Sequence, residues 1–319
     1  MLKEVILLEY FTAQSTTNFK GKKSIFKEAI KLSNSLALNF SRNRKIKKIH
    51  LLRNASLQRL KNKKIVIHYV TKNKTIDKIL DKFDHKTNLL LISPESEFEN
   101  SRLYQKLSKK FTLLNSSFKN IKIFSSKLKT FKALKQIKVK TIEIEKKLRE
   151  NIQYISKPEF GTGSSNIVIF KKKNNICNQK KAIIQKFYKG KKGSFGMLCC
   201  DKKFEIICCN EQILKFHNDK ISQIGLIMGG LESHRNEIYA IGKKICSSFP
   251  ELFGFIGIDI VRVNNDWRVI EINPRFTSAY IGLEQAYGIG AINRITEFYI
   301  NKKIEKTNYS LKKKVKIYF

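Results

Sequence analysis

Asp259 and Glu271 are the residues whose type and spacing most directly suggest chemistry. They lie in GFIGIDIVRVNNDWRVIEINPR, which runs from Gly254 to Arg275. Two apolar runs, 255–263 and 267–272, flank the polar cluster Asn264-Asn265-Asp266, the pattern of a β-hairpin. With the turn centred on Asn265, Asp259 and Glu271 face each other, because directly opposed residues of paired strands share a face. Asn273, two residues past Glu271, projects to that same face. Two carboxylates converging among isoleucines (Ile258, Ile260, Ile270, Ile272) repel unless a cation lies between them. Hard oxygen donors of this kind suit Mg²⁺, which takes one or two carboxylates and completes its shell with water and phosphate oxygens. Arg275 follows, where a fixed guanidinium fork can hold a phosphate. The alternative is a surface hairpin with solvated acids.

A second constellation is YISKPEFGTGSS, in which an apolar run ends in Lys157 and is followed by Gly161, Gly163, Ser164 and Ser165. A further apolar run, 167–170, comes next. Glycines let backbone N–H groups approach phosphate oxygens closely, and the lysine supplies charge. No GK[ST] follows and no helix opens, so this is not a Walker A loop. A glycine-rich hairpin turn would carry the same letters.

The elements that must position these groups alternate. Apolar runs at 5–8, 49–52, 65–69 and 89–92 read as strands, and helix-period stretches at 25–40, 76–83 and 103–110 lie between or after them. This alternation predicts a doubly wound parallel sheet, whose ligands bind beyond the carboxyl ends of the strands. Glu9 and Glu95 sit at such ends and are candidates to line a substrate pocket, or else helix caps and loop acids. After the apolar run 121–124, a helix at 128–137 precedes an extended stretch at 140–144. A strand is expected at 182–188 and a hairpin at 197–200 and 204–209. Gly229-Gly230 reads as a flexible joint, and helices are expected at 236–249, 278–286 and 291–299. An edge strand is expected at 315–319, within a lysine-rich tail.

The 319 residues carry 64 Lys+Arg against 26 Asp+Glu, a net charge of +38 that attracts polyanions. The lysines are spread along the chain among Asn and Ile rather than gathered in a patch, and no nucleic-acid-binding motif accompanies them. Nucleic acid is therefore a secondary expectation. No apolar run reaches the roughly 20 residues that cross a bilayer, so the expected location is cytoplasmic with no membrane partner. Six cysteines lack both zinc spacing and the pattern of a secreted disulfide framework, so buried reduced thiols are expected. His234 could face the site, although a solvated or core histidine is the plainer reading.

Taken in order, SKLKTFKAL, YISKPEFGTGSS, IIQKFYKG and GFIGIDIV…RVIEINPR resemble the ATP-grasp superfamily, whose members hold ATP between two α+β lobes. The openings VILLEYFTA and LLLISPESE and the closing EINPRFTSAYIGL are similar to the archaeal-type carboligase group that includes tyramine–L-glutamate ligase of methanofuran biosynthesis. The implied architecture is an N-terminal α/β domain over 1–115 and a two-lobed ATP-grasp domain over 116–300. A lid would lie at about 152–190 and a basic tail at 301–319. The resemblance assigns Lys127 and Lys157 to the phosphates of ATP, and Gly161, Gly163 and Ser164 to a lid loop over them. It assigns Gln185, Lys186 and Tyr188 to the adenosine hinge. Asp259, Glu271 and Asn273 would hold Mg²⁺, or Mn²⁺ in its place, and Arg275 would steady the transferring phosphate. The implied activity joins a carboxylate to an amine through an acyl phosphate, with glutamate and tyramine as the favoured pair, and is compatible with a homodimer. Three stretches depart from the pattern. Gln185-Lys186 stands where Gln-Glu is common, Ala13-Gln14-Ser15 stands where glycines are, and no proline follows Gly229-Gly230 within a few residues.

Overall fold

The structure is a computed structural model that describes residues 2–15, 23–94, 99–161, 167–171, 182–305 and 309–319. The N-terminal third comprises β1 (Glu4–Glu9), α1 (Lys23–Arg42), β2 (Lys48–Asn54), β3 (Ile65–Val70) and α2 (Ile76–Leu80). It continues through β4 (Asn88–Ile92), α3 (Glu99–Ser108) and β5 (Thr112–Leu113). The five strands form a wholly parallel sheet in the order β3-β2-β1-β4-β5. Strand β1 is central, so both its faces are covered and Val5 to Leu8 are all buried. That is why the strand reads as a continuous apolar run rather than an alternating one. Its last residue, Glu9, sits where the chain order of the sheet reverses.

Helices α4 (Phe118–Phe124) and α5 (Lys127–Gln136) follow, each capped by a serine hydroxyl: Ser117 accepts from the Asn120 N–H and Ser126 from the Lys129 N–H. The apolar run at 121–124 is thus the end of a helix. Next come β6 (Gln153–Pro158), β7 (Val168–Lys171), β8 (Ala182–Lys186) and β9 (Lys192–Cys200). After them run β10 (Lys203–His217), β11 (Lys220–Met228), α6 (Arg235–Ser248), β12 (Gly254–Val263) and β13 (Asp266–Asn273). Helices α7 (Leu283–Tyr287) and α8 (Ile289–Asn301) and strand β14 (Val315–Tyr318) complete the chain. The strands of this second sheet run β13-β12-β9-β10-β11-β7-β6-β8, with β14 added antiparallel to β11. Among the described residues β7 pairs with β11 at Lys220 and Val168, and the Ile169 N–H donates to the Asp219 carbonyl at 2.7 Å. At the other edge of these three strands, Gln185 of β8 bridges Ile144, and the Glu145 N–H donates to the Ile184 carbonyl at 2.8 Å.

That hairpin spans residues 210–228, where the sequence offered no strand reading beyond 209. Its outer strands are only half-buried, and their alternation is diluted by Glu, Gln, Lys and Ser. Gly229-Gly230 is a tight corner rather than a flexible joint. Gly229 adopts φ +72°, and a Cβ on Gly230 would lie 2.8 Å from the Glu211 Cβ and 3.0 Å from the Ile227 carbonyl oxygen. The five described cysteines are free and buried, and Cys177 lies outside the described residues.

The β12–β13 hairpin turns on Asn264 and Asn265, both at positive φ (48° and 65°), as a two-residue turn matching strand twist requires. That turn pairs Val263 with Asp266 and, further along, Ile260 with Val269. A bulge then leaves Ile270 without a partner, and pairing resumes as Asp259 with Glu271 and Gly257 with Asn273. The two acids do face each other. A two-residue turn plus a one-residue bulge gives the same offset as a turn centred on Asn265. The opposite face of the hairpin is core: Ile258, Ile260, Val269 and Ile272 are fully buried against Leu134, Ile238 and Ile245. Each such side chain contributes about 2 kcal/mol of burial, which fixes the register and with it the direction of the acids.

Candidate functional site

A cleft of about 300 Å³ lies between the hairpin, the β6–β8 strands and α1. Asp259, Ile270, Glu271 and Asn273 form its floor. The bulge makes this possible, because it turns two consecutive residues, Ile270 and Glu271, toward the same side. Ile270 also packs beside Ile142, Val261, Val263 and Tyr188, so the floor is apolar at one end and acidic at the other. Gly257 gives the floor its depth, since a Cβ there would lie 2.4 Å from the Thr277 Cγ2.

Three lysines border the acids. Lys157, near the end of β6, is 8% exposed, and burial lowers its ammonium to about 8, against the pull of Glu271 and Asp259. Lys127 begins α5 and donates to the Gly161 carbonyl at 3.0 Å, tying the start of the helix to the loop after β6. The Lys127 N–H also donates to the Glu159 carbonyl, and the Ser126 hydroxyl donates to the Glu159 carboxylate. Lys192 opens β9 and donates to the Tyr188 and Gly190 carbonyls at 2.7 and 3.3 Å, and burial lowers its pKa. Gln212 of β10 donates to Asp259 Oδ1 at 3.0 Å and holds that carboxylate in place. Arg275 lines the cleft just beyond Asn273, and its guanidinium donates to the Phe276 carbonyl at 3.1 Å.

The structure thus brings Lys127, Lys157, Gly161, Asp259, Glu271, Asn273 and Arg275 to one cleft. Gly163, Ser164 and Glu95 lie outside the described residues. Gln185 does not line the cleft: it is buried and donates to the Ile142 carbonyl at 2.9 Å. Lys186 pairs loosely with Glu145 at 4.0 Å, and Tyr188 packs beside Ile270 and under the Arg268 guanidinium. Glu9 does not line the cleft either. It is buried and accepts from the Phe11 and Thr12 N–H groups at 3.2 and 2.7 Å, and burial raises its carboxyl to about 7. His234 lies against Trp267 and hydrogen-bonds Glu237 and Arg262 away from the cleft. Sequence reasoning missed Lys192, Gln212 and Glu28, all of which line the cleft. Lys192 lies within the KGKKG run, but its depth depends on pairing with Val261 of β12. Gln212 and Glu28 reach the cleft from elements distant in sequence, and no linear spacing marks them.

The donor set is oxygen-only. Among the described residues no group of three or more His, Cys, Asp or Glu side chains is placed to hold a metal ion. Two carboxylates with an amide oxygen beside them fit a hard cation that keeps several water or phosphate ligands, and do not fit a closed zinc site. Among the described residues no helix is long and apolar enough to cross a membrane.

Residues 124–279 match the family model described as an ATP-grasp domain. Among solved structures, an ATP-grasp superfamily protein from Archaeoglobus fulgidus superposes with a TM-score of 0.73 at 21% identity, covering 92% of this chain and 88% of that one. N5-carboxyaminoimidazole synthetase from Staphylococcus aureus, complexed with ADP, gives 0.70 at 14% identity, covering 97% and 80%. L-amino acid ligase from Bacillus licheniformis gives 0.63 at 13% identity, covering 93% and 73%. At these identities the likeness is one of fold. No curated protein sequence matches the chain at a significant level.

Proposed function

We propose, for a chain that carries an ATP-grasp domain over residues 124–279, that the protein is an ATP-dependent carboxylate–amine ligase. The observation that carries this reading is the paired Asp259 and Glu271 in a cleft that Lys127, Lys157 and Arg275 also line. Such a cleft suits a polyphosphate with its counter-cation, and it also opens toward α1, leaving room for a further substrate. Asp259, Glu271 and the Asn273 side-chain oxygen would hold Mg²⁺ or Mn²⁺, which when bound neutralises phosphate charge and orients phosphate oxygens.

The chain's own residues do the rest by position and charge. Lys127 and Lys157 offset charge on the phosphates, and Arg275 faces the oxygens of the phosphoryl group as it passes to the substrate carboxylate. Gln212 keeps Asp259 from swinging away. Ile270 and Tyr188 supply an apolar bed for the base. The backbone after β8, rather than the Gln185 side chain, is then what reads the base edge. Strands β6–β8 border the site and help keep water from the acyl phosphate that transfer produces, and the lid role that the resemblance gives Gly163 and Ser164 falls outside the described residues. Attack by an amine then yields an amide and phosphate.

Glutamate and tyramine are the favoured pair, on the similarity of both ends of the chain to the carboligase group. The test is ADP release from ATP, Mg²⁺, L-glutamate and tyramine. Turnover only with another amine or amino acid would keep the ligase and reject the pair, as the departure at Ala13-Gln14-Ser15 allows. ADP release from no combination of amino acid and amine, together with RNA binding that weakens steeply with salt, would replace the ligase by a polyanion-binding protein.

A further inference from the structure

The cleft extends past Arg275 to the first turns of α1, where Ser24, Ile25 and Glu28 line it. Glu28 is a half-buried acid in a chain with 64 basic and 26 acidic residues. Its carboxylate hydrogen-bonds Ser278 and lies within the electrostatic reach of Arg275, so it is aimed into the cleft from the N-terminal domain. Ile25, Ile224, Leu226, Ala279 and Phe319 also line the cleft, interleaved with the neutral polar side chains of Ser24, Gln223 and Thr277. An oriented carboxylate in a wall of mixed apolar and neutral polar side chains, on a different element from the acids beside the lysines, is suited to a small organic cation with an apolar body. Desolvation acts in the same direction, since burial raises the pKa of Glu28 and Arg275 and Ser278 offset that only in part, so that a further cation beside it is favoured.

We infer that Glu28 is the amine-binding residue and general base of the acceptor half-reaction, taking a primary ammonium with an apolar or aromatic body. This rests on the ligase reading above. In the step, one proton passes from the ammonium to the Glu28 carboxylate. The nitrogen lone pair then forms the C–N bond to the acyl carbon, and the C–O bond to the phosphoryl group breaks with its electron pair going to phosphate. Phosphate takes the second proton from nitrogen. Ser278 is a positioning residue that keeps the carboxylate turned toward the cleft.

The test compares two nucleophiles on ATP, Mg²⁺ and L-glutamate: tyramine, a cation that must be bound and deprotonated, and hydroxylamine, largely uncharged near neutral pH. Glu28→Gln should cut amide formation with tyramine on the order of 100-fold or more, as loss of a positioned base does. It should cut hydroxamate formation less than about threefold. Glu28→Asp should recover part of the tyramine rate. Parallel loss of both products would make Glu28 a support for Arg275 and overturn the assignment. Unimpaired amide formation would overturn it too. If the wild-type protein makes neither product with any amino acid, the ligase reading fails first and takes this assignment with it.

Discussion

Asp259 and Glu271 bear most of the chemistry proposed here, and their removal is the sharpest test at the residue scale. Asp259→Asn and Glu271→Gln keep shape and hydrogen bonding but remove a charge each. Each should lower ADP production by at least about 100-fold, since an electrostatic group at a phosphoryl-transfer centre is worth a few kcal/mol. Circular dichroism should stay unchanged, and full activity in either variant would remove the acids from the mechanism. Glu9 makes a different prediction. Burial raises its carboxyl from the ordinary value near 4.5 to about 7. Between those values the unfolded chain has lost a proton that the folded chain keeps, so stability falls as pH rises through that window and then levels off. The largest effect is about 3 kcal/mol, from a rise of 4.5 to about 7. Urea unfolding at pH 5 and pH 8 should show this loss in the wild type and not in Glu9→Gln; the same trend in both would assign it to other groups. The sequence exposed the acids because each stood alone among isoleucines. It hid Gln212 and Lys192, whose place depends on the pairing of β9 with β10 and β12.

At the scale of elements, the β12–β13 hairpin shows what patterning can and cannot give. Alternation between Ile258, Ile260 and Ile272 set the buried face, and the two asparagines marked the turn. The bulge left no mark in composition, because Ile270 is apolar whether it faces the core or a bed for a ligand. Its role is testable. Ile270→Ala keeps the acids paired but trims the apolar end of the floor, so the Michaelis constant for ATP should rise about fivefold. That matches roughly 1 kcal/mol for a half-exposed aliphatic side chain. A fall in kcat as deep as that of Asp259→Asn would contradict this division of labour. The parallel sheet was legible for the opposite reason. Strands covered on both faces are continuous apolar runs, and β1, β2 and β4 fall where such runs do, while the edge strand β3 is only partly buried but still reads as an apolar run. The β10–β11 hairpin was not legible, since its partly solvated strands mix polar and apolar residues.

For the molecule as a whole, the two sheets are joined by one apolar cluster. It runs from Leu7, Leu36 and Phe40 of the first sheet and α1 to Phe276, Tyr280 and Tyr299 behind the second. The strands β6–β8 stand apart from that cluster and carry Lys157 over the acids. ADP with Mg²⁺ at 100 times its dissociation constant should stabilise the protein by about 2.7 kcal/mol in denaturant unfolding. Amide exchange should slow most in β6–β8, because strands outside the main apolar cluster open at lower free energy until a ligand bridges them. Equal protection spread over both sheets would mean that these strands are already closed. The second attachment of these strands has a mechanical corollary. Gln185 of β8 bridges Ile144, and a few residues earlier Thr141 bridges Val269 of β13, whose N–H donates to the Lys140 carbonyl. A displacement of β8 is therefore passed through one short tether to the strand that carries Glu271.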